Sequence, residues 1–304
     1  MFKFLRGHGP LFIVLAAFLW SLDGVLRRSL YVLPPIIIVF YEHLFGSILI
    51  LPFMFREFLT GETKLTAKEI GAILWVALVS GVLGTLFYTT ALAKVSYIQF
   101  SVVVLLQQLQ PIFAIAAAAL ILKEPINRHY LRWAVLALIA AYFVSFPNLK
   151  VNLTTGAGTA IAALLAVGSA FFWGSSTAVS RFALLRLSHL TTTGLRFLVT
   201  TFMALGFVFA FNAQSQLTAL AGPQLLTVLA IALSTGLVAM VIYYRGLKFT
   251  QARVSTILEL FWPISALALS LFYYRETHTL TQLFGAAILL FSIYKVSRLN
   301  RAQV

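Results

Sequence analysis

The chain consists mostly of long apolar runs that are separated by short polar stretches. Most runs are about 20 residues long, which is the length that an α-helix needs to cross a bilayer. They are apolar on all sides, whereas the strands of an outer-membrane barrel alternate in polarity over segments of about ten residues. The pattern therefore predicts ten membrane-spanning helices: Leu11–Leu26, Ile36–Phe55, Ile70–Leu92, Ile98–Leu122, Tyr130–Phe146, Ala160–Val179, Leu190–Phe211, Leu225–Tyr244, Val254–Phe272 and Leu280–Val296.

The composition agrees with this pattern. Of 304 residues, 61% are apolar and 10% are charged, against about 45–50% and about 25% in soluble domains. The mean hydropathy is +0.97. Ten spans occupy roughly 200–220 residues, which leaves only short loops. We expect an all-α integral membrane protein that forms one compact body.

The net charge of +14 is mainly a signal of orientation. When the predicted loops are assigned to alternating sides, 16 of the 22 Lys and Arg residues fall on one side and Arg196 lies inside a span. The other side holds five, which are Arg27, Arg28, Lys94, Lys150 and Arg275. Positive loops mark the cytoplasmic face, so both termini are predicted to be cytoplasmic. Basic residues scattered over many loops do not form a nucleic-acid surface.

The two halves of the chain resemble each other. The segment Ala17-Phe18-Leu19-Trp20 returns as Ala170-Phe171-Phe172-Trp173, so the first apolar run is interpreted as a retained helix and not as a signal peptide. The further matches, in the same order, are Arg28 with Arg181, His43 with Arg196, Pro111-Ile112 with Pro263-Ile264, and Glu124 with Glu276. They predict two repeats, residues 1–150 and 151–304. Each has five spans, an odd number, so the second repeat is expected to be inverted.

These residues resemble the drug/metabolite transporter (DMT) superfamily, and specifically its EamA-type ten-helix transporters, over essentially the whole chain. The resemblance implies a secondary carrier that exports small metabolites, often amino acids, while sister groups carry nucleotide sugars, sugar phosphates or cationic drugs. The sequence departs from the family at His43, where arginine is usual, and in a three-residue insertion before the fourth span.

Two polar residues each precede a proline by one helical turn. Gln107 stands four residues before Pro111, and Glu259 four residues before Pro263, at matching places in the two repeats. Proline removes a backbone hydrogen bond near residue i−4, which exposes carbonyl groups inside a helix bundle. We expect Gln107, its neighbour Gln110 and Glu259 to face a substrate cavity, although bonding between neighbouring helices is an alternative.

Other ionisable residues also fall within spans. Asp23 is one turn beyond Trp20 and four residues before Arg27, so it fits either the cavity or an ion pair. Glu42 and His43 are adjacent and point about 100° apart, so they are not expected to point at the cavity axis together. His43 and Arg196 form a repeat-related pair of bases. They suit a substrate carboxylate, or salt bridges with an acid of the spans.

The best aromatic candidates are Trp20, Trp173 and Trp262, since two are related by the repeat and the third precedes Pro263. Tyr88, and Tyr244 with its neighbour Tyr243, come next. Aromatic walls with a few charges suit an amphipathic solute such as an amino acid. Phosphorylated substrates fit less well, because apart from Arg196 no Lys or Arg is predicted deep in a span.

The predicted function is a secondary transporter of the bacterial inner membrane that works by alternating access. Protons are the candidate coupling ion, and the predicted oligomeric state is a monomer or a homodimer. No nucleotide-binding loop is present. No cofactor or metal is expected, and the absence of cysteine excludes thiol chemistry. A channel and a membrane-embedded lipid-modifying enzyme are the alternatives, but no paired acid or histidine motif supports the enzyme.

Overall fold

A computed structural model describes residues 8–30, 32–60, 65–94, 102–151, 159–273, 275 and 277–300. Within these ranges the chain is helical throughout and contains no strand. The α-helices are α1 Gly9–Ser21, α2 Asp23–Arg28, α3 Pro35–Leu59, α4 Ala67–Val76, α5 Thr85–Lys94, α6 Val102–Gln107, α7 Gln110–Ile121, α8 Arg128–Ser145, α9 Thr159–Leu184, α10 His189–Ala210, α11 Gly222–Ile231, α12 Leu237–Lys248, α13 Ala252–Leu258, α14 Phe261–Tyr273 and α15 Leu280–Ser297.

Seven helical segments in the described ranges are long and apolar enough to cross a membrane. They are Pro35–Leu59, Ala67–Lys94, Ala160–Leu184, His189–Ala210, Gly222–Lys248, Ala252–Leu269 and Leu280–Ser297. Large apolar side chains such as Leu59, Phe272 and Leu280 lie exposed on the outside, which suits contact with lipid. The all-helical, multi-pass class is thereby confirmed, while the number of ten spans and the orientation of the termini stay predictions.

Three of the predicted spans are interrupted. The first divides at Leu22 between α1 and α2, the fourth at residues 108–109 between α6 and α7, and the ninth at residues 259–260 between α13 and α14. Pro111 and Pro263 lie in the first turns of α7 and α14, where a missing backbone N–H breaks no helical bond. Each proline therefore begins a new helix just beyond the polar residue that precedes it.

The third and eighth predicted spans each contain a short π-helical segment, Ala77–Gly84 and Ala232–Gly236. The extra residue in each π turn rotates the side chains that follow, and such segments are frequent at functional sites. Hydropathy gives no sign of them. They join α4 to α5 and α11 to α12 into the continuous helical segments Ala67–Lys94 and Gly222–Lys248.

Helices of the first half pack chiefly against helices of the second half. The most extensive pairs are α8 with α15, α3 with α10, α7 with α9, and α1 with α12. Close approach is possible because the faces in contact carry Ala and Gly. A Cβ atom on Gly174 of α9 would lie 2.6 Å from the carbonyl oxygen of Gln110 and 2.9 Å from Cβ of Phe113. The interface between the halves is therefore an extended, small-residue contact.

Replacing Gly174 by alanine is expected to destabilise the protein by about 1–3 kcal/mol, because backbone atoms of α7 must move away from the added methyl group. Thermal unfolding of the purified variant measures the effect. Gly206→Ala is the matched control, since a Cβ atom there meets nothing within 4 Å. Equal melting temperatures for the two variants would contradict the tight α7–α9 packing.

Candidate functional site

A cavity of about 240 Å³ lies between the two halves of the chain. All residues singled out from the sequence border it: Trp20, Asp23, His43, Tyr88, Gln107, Gln110, Pro111, Trp173, Arg196, Tyr244, Glu259, Trp262 and Pro263. These residues come from at least eight of the helices. The structure thus brings the whole set together, and their binding of a substrate stays a prediction.

Two tryptophan–tyrosine pairs form aromatic walls of the cavity. The ring centroids of Trp20 and Tyr243 are 5.0 Å apart, and those of Trp173 and Tyr88 are 5.1 Å apart. Trp20 and Trp173 match in the predicted repeat, and each pairs with a tyrosine of the opposite half. The indole N–H of Trp173 donates to the carbonyl oxygen of Ser80 at 3.1 Å. Each wall is therefore built from one helix of each half.

A row of hydrogen bonds, which we call the amide row, runs along the cavity wall from Ser169 of α9 through Gln107 and Gln110 to Glu259, directly after α13. The Ser169 hydroxyl donates to Oε1 of Gln107 at 2.6 Å, and Nε2 of Gln107 donates to Oε1 of Gln110 at 3.0 Å. Nε2 of Gln110 then donates to Oε2 of Glu259 at 2.9 Å. In each of these bonds the donor lies on the Ser169 side and the acceptor on the Glu259 side, so the last acceptor is the carboxylate of Glu259.

Glu259 accepts two further hydrogen bonds at its other oxygen. The Tyr243 hydroxyl donates to Oε1 at 2.7 Å, and the Ser255 hydroxyl donates to the same atom at 3.0 Å. Within the described ranges, no basic side chain forms an ion pair with Glu259. Its carboxylate is thus held in the cavity wall by uncharged donors only.

A second cluster joins Arg27 to two acids. Nε of Arg27 contacts Oδ2 of Asp23 at 2.5 Å, and Nη2 contacts Oε2 of Glu42 at 2.8 Å. The Thr235 hydroxyl donates to Oδ1 of Asp23 at 2.7 Å. The sequence predicts that the first span ends at Leu26, with Arg27 at its end; in the structure α2 continues to Arg28, and the Arg27 side chain is buried. The ion pair proposed for Asp23 is present, and Asp23 borders the cavity as well.

Arg196 has only uncharged partners among the described residues. Its Nη1 donates to the Tyr244 hydroxyl at 2.9 Å and lies 3.1 Å from Sδ of Met240. Its Nη2 donates to the Ser80 hydroxyl at 2.9 Å. Among the described residues the salt bridges considered for Arg196 are absent: Asp23 and Glu42 bond Arg27, and Glu259 bonds uncharged donors. Arg196 is therefore a buried cation that faces the cavity without a carboxylate partner.

Both Glu42 and His43 border the cavity, and their side chains point to different neighbours. The Glu42 side chain reaches across to Arg27, whereas His43 packs its ring 4.8 Å from that of Phe197. The Nδ1 atom of His43 is 2.8 Å from the carbonyl oxygen of Val39. Two adjacent residues of α3 therefore border the cavity.

A buried ion pair lies outside the cavity. Arg181 contacts Glu124 at 3.2 Å and donates to the carbonyl oxygen of Leu247 at 2.7 Å. Glu124 also accepts the backbone N–H groups of Ala252 and Arg253. Arg181 is only 3% exposed and lies in the last turn of α9, so a basic residue near the end of a span is buried without lying deep in it. The repeat-related Glu276 lies outside the described residues.

Sequence reasoning missed several lining residues. Ser80 and Thr235 lie in the π segments, whose geometry the apolar pattern does not encode. Thr256 carries no repeat signal, whereas Ser176 follows Trp173 by one turn and stands as far beyond Asp23 as Trp173 stands beyond Trp20. Tyr243, and not its neighbour Tyr244, forms the aromatic pair with Trp20. In the part of the chain that the structure describes, no three metal-ligating side chains come together.

Three comparisons relate the chain to known proteins. The sequence model of the EamA-like transporter family matches residues 7–146 and again residues 160–298. A riboflavin transporter, ImpX, from Fusobacterium nucleatum is 36% identical over 297 residues, which cover 96% of this chain and 98% of that protein. A crystal structure of a protein with 16% identity covers 98% of both chains with a TM-score of 0.75, a similarity of fold alone.

Proposed function

The chain belongs to the EamA-like transporter family, and from this membership we propose that it carries riboflavin, or a similar uncharged aromatic heterocycle, through the central cavity. It is a membrane transporter and not an enzyme. The identity of 36% to a riboflavin transporter over nearly the whole length supports this choice of substrate class.

The observation that carries the proposal is the pair of aromatic walls. Trp20 with Tyr243 and Trp173 with Tyr88 present ring faces and edges to one cavity. A planar heterocycle gains roughly 1–3 kcal/mol per aromatic side chain on which it stacks. The amide row of Gln107 and Gln110 supplies donors and acceptors beside these walls, as the edge of a nitrogen heterocycle requires.

The charges that border the cavity favour an uncharged substrate. Three carboxylates (Asp23, Glu42 and Glu259) stand against two guanidinium groups (Arg27 and Arg196). A dianionic phosphate needs several unoccupied cationic donors, and Arg27 is already bound to two acids. Riboflavin is therefore expected to bind, and its phosphorylated form to bind much more weakly.

We further propose ten spans in two inverted halves, with both termini in the cytoplasm of a bacterial cell and transport by alternating access. The packing between the halves supports this arrangement. Helix α1 of the first half packs against α12 and α14 of the second half, and the corresponding helix α9 packs against α5 and α7 of the first half. Such equivalent contacts provide two related packings, one open to each side. A monomer or a homodimer fits the same scheme.

An amino acid is the second candidate substrate, exported as the family resemblance implies. The absence of a carboxylate partner for Arg196 within the described ranges favours it, because a substrate carboxylate could form a bidentate bond there. Its side chain would then lie between the aromatic walls.

Transport into proteoliposomes distinguishes these candidates. We expect saturable uptake of radiolabelled riboflavin that excess unlabelled riboflavin blocks and that flavin mononucleotide blocks at least about tenfold less effectively. A mixture of amino acids should have no effect. Uptake of amino acids without uptake of riboflavin would contradict the proposal, and a flux that never saturates would indicate a channel.

Truncation of either wall tryptophan is expected to weaken riboflavin binding by about tenfold, because Trp20→Ala or Trp173→Ala removes a stacking surface. Quenching of flavin fluorescence on titration with the purified protein measures the affinity. Trp75→Ala is the matched control, since Trp75 is 49% exposed and does not border the cavity. An equal loss in all three variants would show that the walls do not bind the ring.

A further inference from the structure

We propose that Ser176, Arg196 and Thr256 form a subsite that binds a hydroxylated side chain of the substrate, beside the aromatic walls that hold its ring. This inference rests on the proposed transport of an aromatic heterocycle. It assigns the specificity for the ring substituent to three residues from three helices, α9, α10 and α13.

The three residues share buried polar atoms without a hydrogen-bond partner among the described residues. These atoms are Oγ of Ser176, Nε of Arg196 and Oγ1 of Thr256. The residues are 2%, 6% and 1% exposed, and all three border the cavity. A fourth such atom, Nη1 of Arg27, belongs to a side chain whose other nitrogens already bond two acids. More than 90% of buried polar groups in native proteins are paired, so the remaining three unpaired groups of residues that border one cavity point to a ligand that bonds them.

Their positions connect them to the aromatic wall. Ser176 lies three residues beyond Trp173 on α9, which places it on the same face about 4.5 Å further along the axis. Thr256 likewise lies three residues before Glu259, at the end of the amide row. A ring packed against Trp173 would thus direct its substituent along α9, toward Ser176.

The chemistry of the three groups defines what they can hold. Arg196 only donates, whereas the hydroxyls of Ser176 and Thr256 both donate and accept. None of the three is acidic, so a cationic substituent has no counter-charge there. A chain of hydroxyl groups, each able to donate and to accept, matches all three in chemistry, and the ribityl chain of riboflavin is such a group.

Conservative variants test the subsite with two ligands. Ser176→Ala and Thr256→Val each remove one hydroxyl and are expected to weaken riboflavin binding about fivefold. Binding of lumichrome, which has a closely related ring system without the ribityl chain, should change less than twofold. Fluorescence quenching gives both affinities. Arg196→Gln is expected to have a larger effect on riboflavin than either hydroxyl variant.

Melting temperature separates binding from folding. Because the two hydroxyls have no protein partner, their removal should leave the melting temperature of the ligand-free protein unchanged or slightly raised. Ser292→Ala is the control: its hydroxyl donates to the Ile288 carbonyl oxygen, away from the cavity, so riboflavin binding should persist.

Each outcome decides the inference. Wild-type riboflavin affinity in both hydroxyl variants, or an equal loss of riboflavin and lumichrome, overturns the subsite while the proposed function stands. If the wild-type protein binds neither ligand, the proposed function fails and the subsite fails with it. Selective loss of riboflavin with an intact melting temperature supports the assignment.

Discussion

Replacing Glu259 with glutamine is expected to lower riboflavin transport by at least about tenfold, since hydrogen bonds to a charged group contribute about 1.5–3 kcal/mol. Both oxygens of Glu259 accept bonds, from Tyr243, Ser255 and Gln110. In glutamine an NH2 group, which donates, replaces one of the two accepting oxygens. At least one of the three partners therefore loses its hydrogen bond; if it is Gln110, two NH2 groups meet at the end of the amide row. Initial rates in proteoliposomes measure the loss.

The same variant tests coupling to protons. A buried carboxylate with uncharged partners is a candidate carrier of a proton across the membrane. We expect an imposed pH gradient to change the wild-type rate severalfold and to leave the rate of Glu259→Gln unchanged. Glu57→Gln, which alters a carboxylate outside the cavity, is the matched control. A wild-type rate that ignores the gradient would remove proton coupling.

Replacing Arg27 with methionine is expected to destabilise the folded protein by about 3–5 kcal/mol, the usual result of removing one partner from a buried ion pair. Arg27 is 4% exposed and is the only described basic residue that bonds Asp23 and Glu42. Without it, two carboxylates remain close together in an apolar setting. Yield of monodisperse protein and its melting temperature in detergent measure the effect.

Neutralising the acids should restore the fold of this variant. Asp23→Asn together with Glu42→Gln removes both charges, so the triple variant with Arg27→Met is expected to regain most of the lost stability. Arg27→Lys should fall between the wild type and Arg27→Met, because one ammonium group cannot reproduce the fork that contacts two acids. A triple variant as unstable as Arg27→Met would show that the charges do not hold the fold.

The fold class could be predicted because hydropathy records directly which segments are apolar enough to lie in a bilayer. The residues bordering the cavity could be predicted because polar groups within such segments are scarce, as Gln107, Arg196 and Glu259 illustrate. The match between Trp20 and Trp173 in the two halves narrowed the many aromatic residues to a few candidates for the cavity wall. In each case a residue could be identified because it differs from the apolar residues around it.

Other features depend on three-dimensional contacts that no local pattern contains. Arg27 is buried because α2 extends past the predicted end of the first span. The count of charges on alternating sides does not detect this, since it assigns every basic residue near a span end to one side of the membrane. The uncharged partners of Arg196 follow from the π segment that carries Ser80. The partner of Trp20 is Tyr243 and not Tyr244 because α12 presents the former to α1.

The packing of each half against the other has a consequence for how the protein is made. When α1 and α8 leave the ribosome, their main partners α12 and α15 have not yet been synthesised, so their apolar, alanine-containing faces are exposed to lipid until then. This costs little, because lipid solvates apolar surfaces as well as a helix does. The charges are protected differently: Asp23, Arg27 and Glu42 all belong to early helices and can neutralise one another before synthesis of the second half begins.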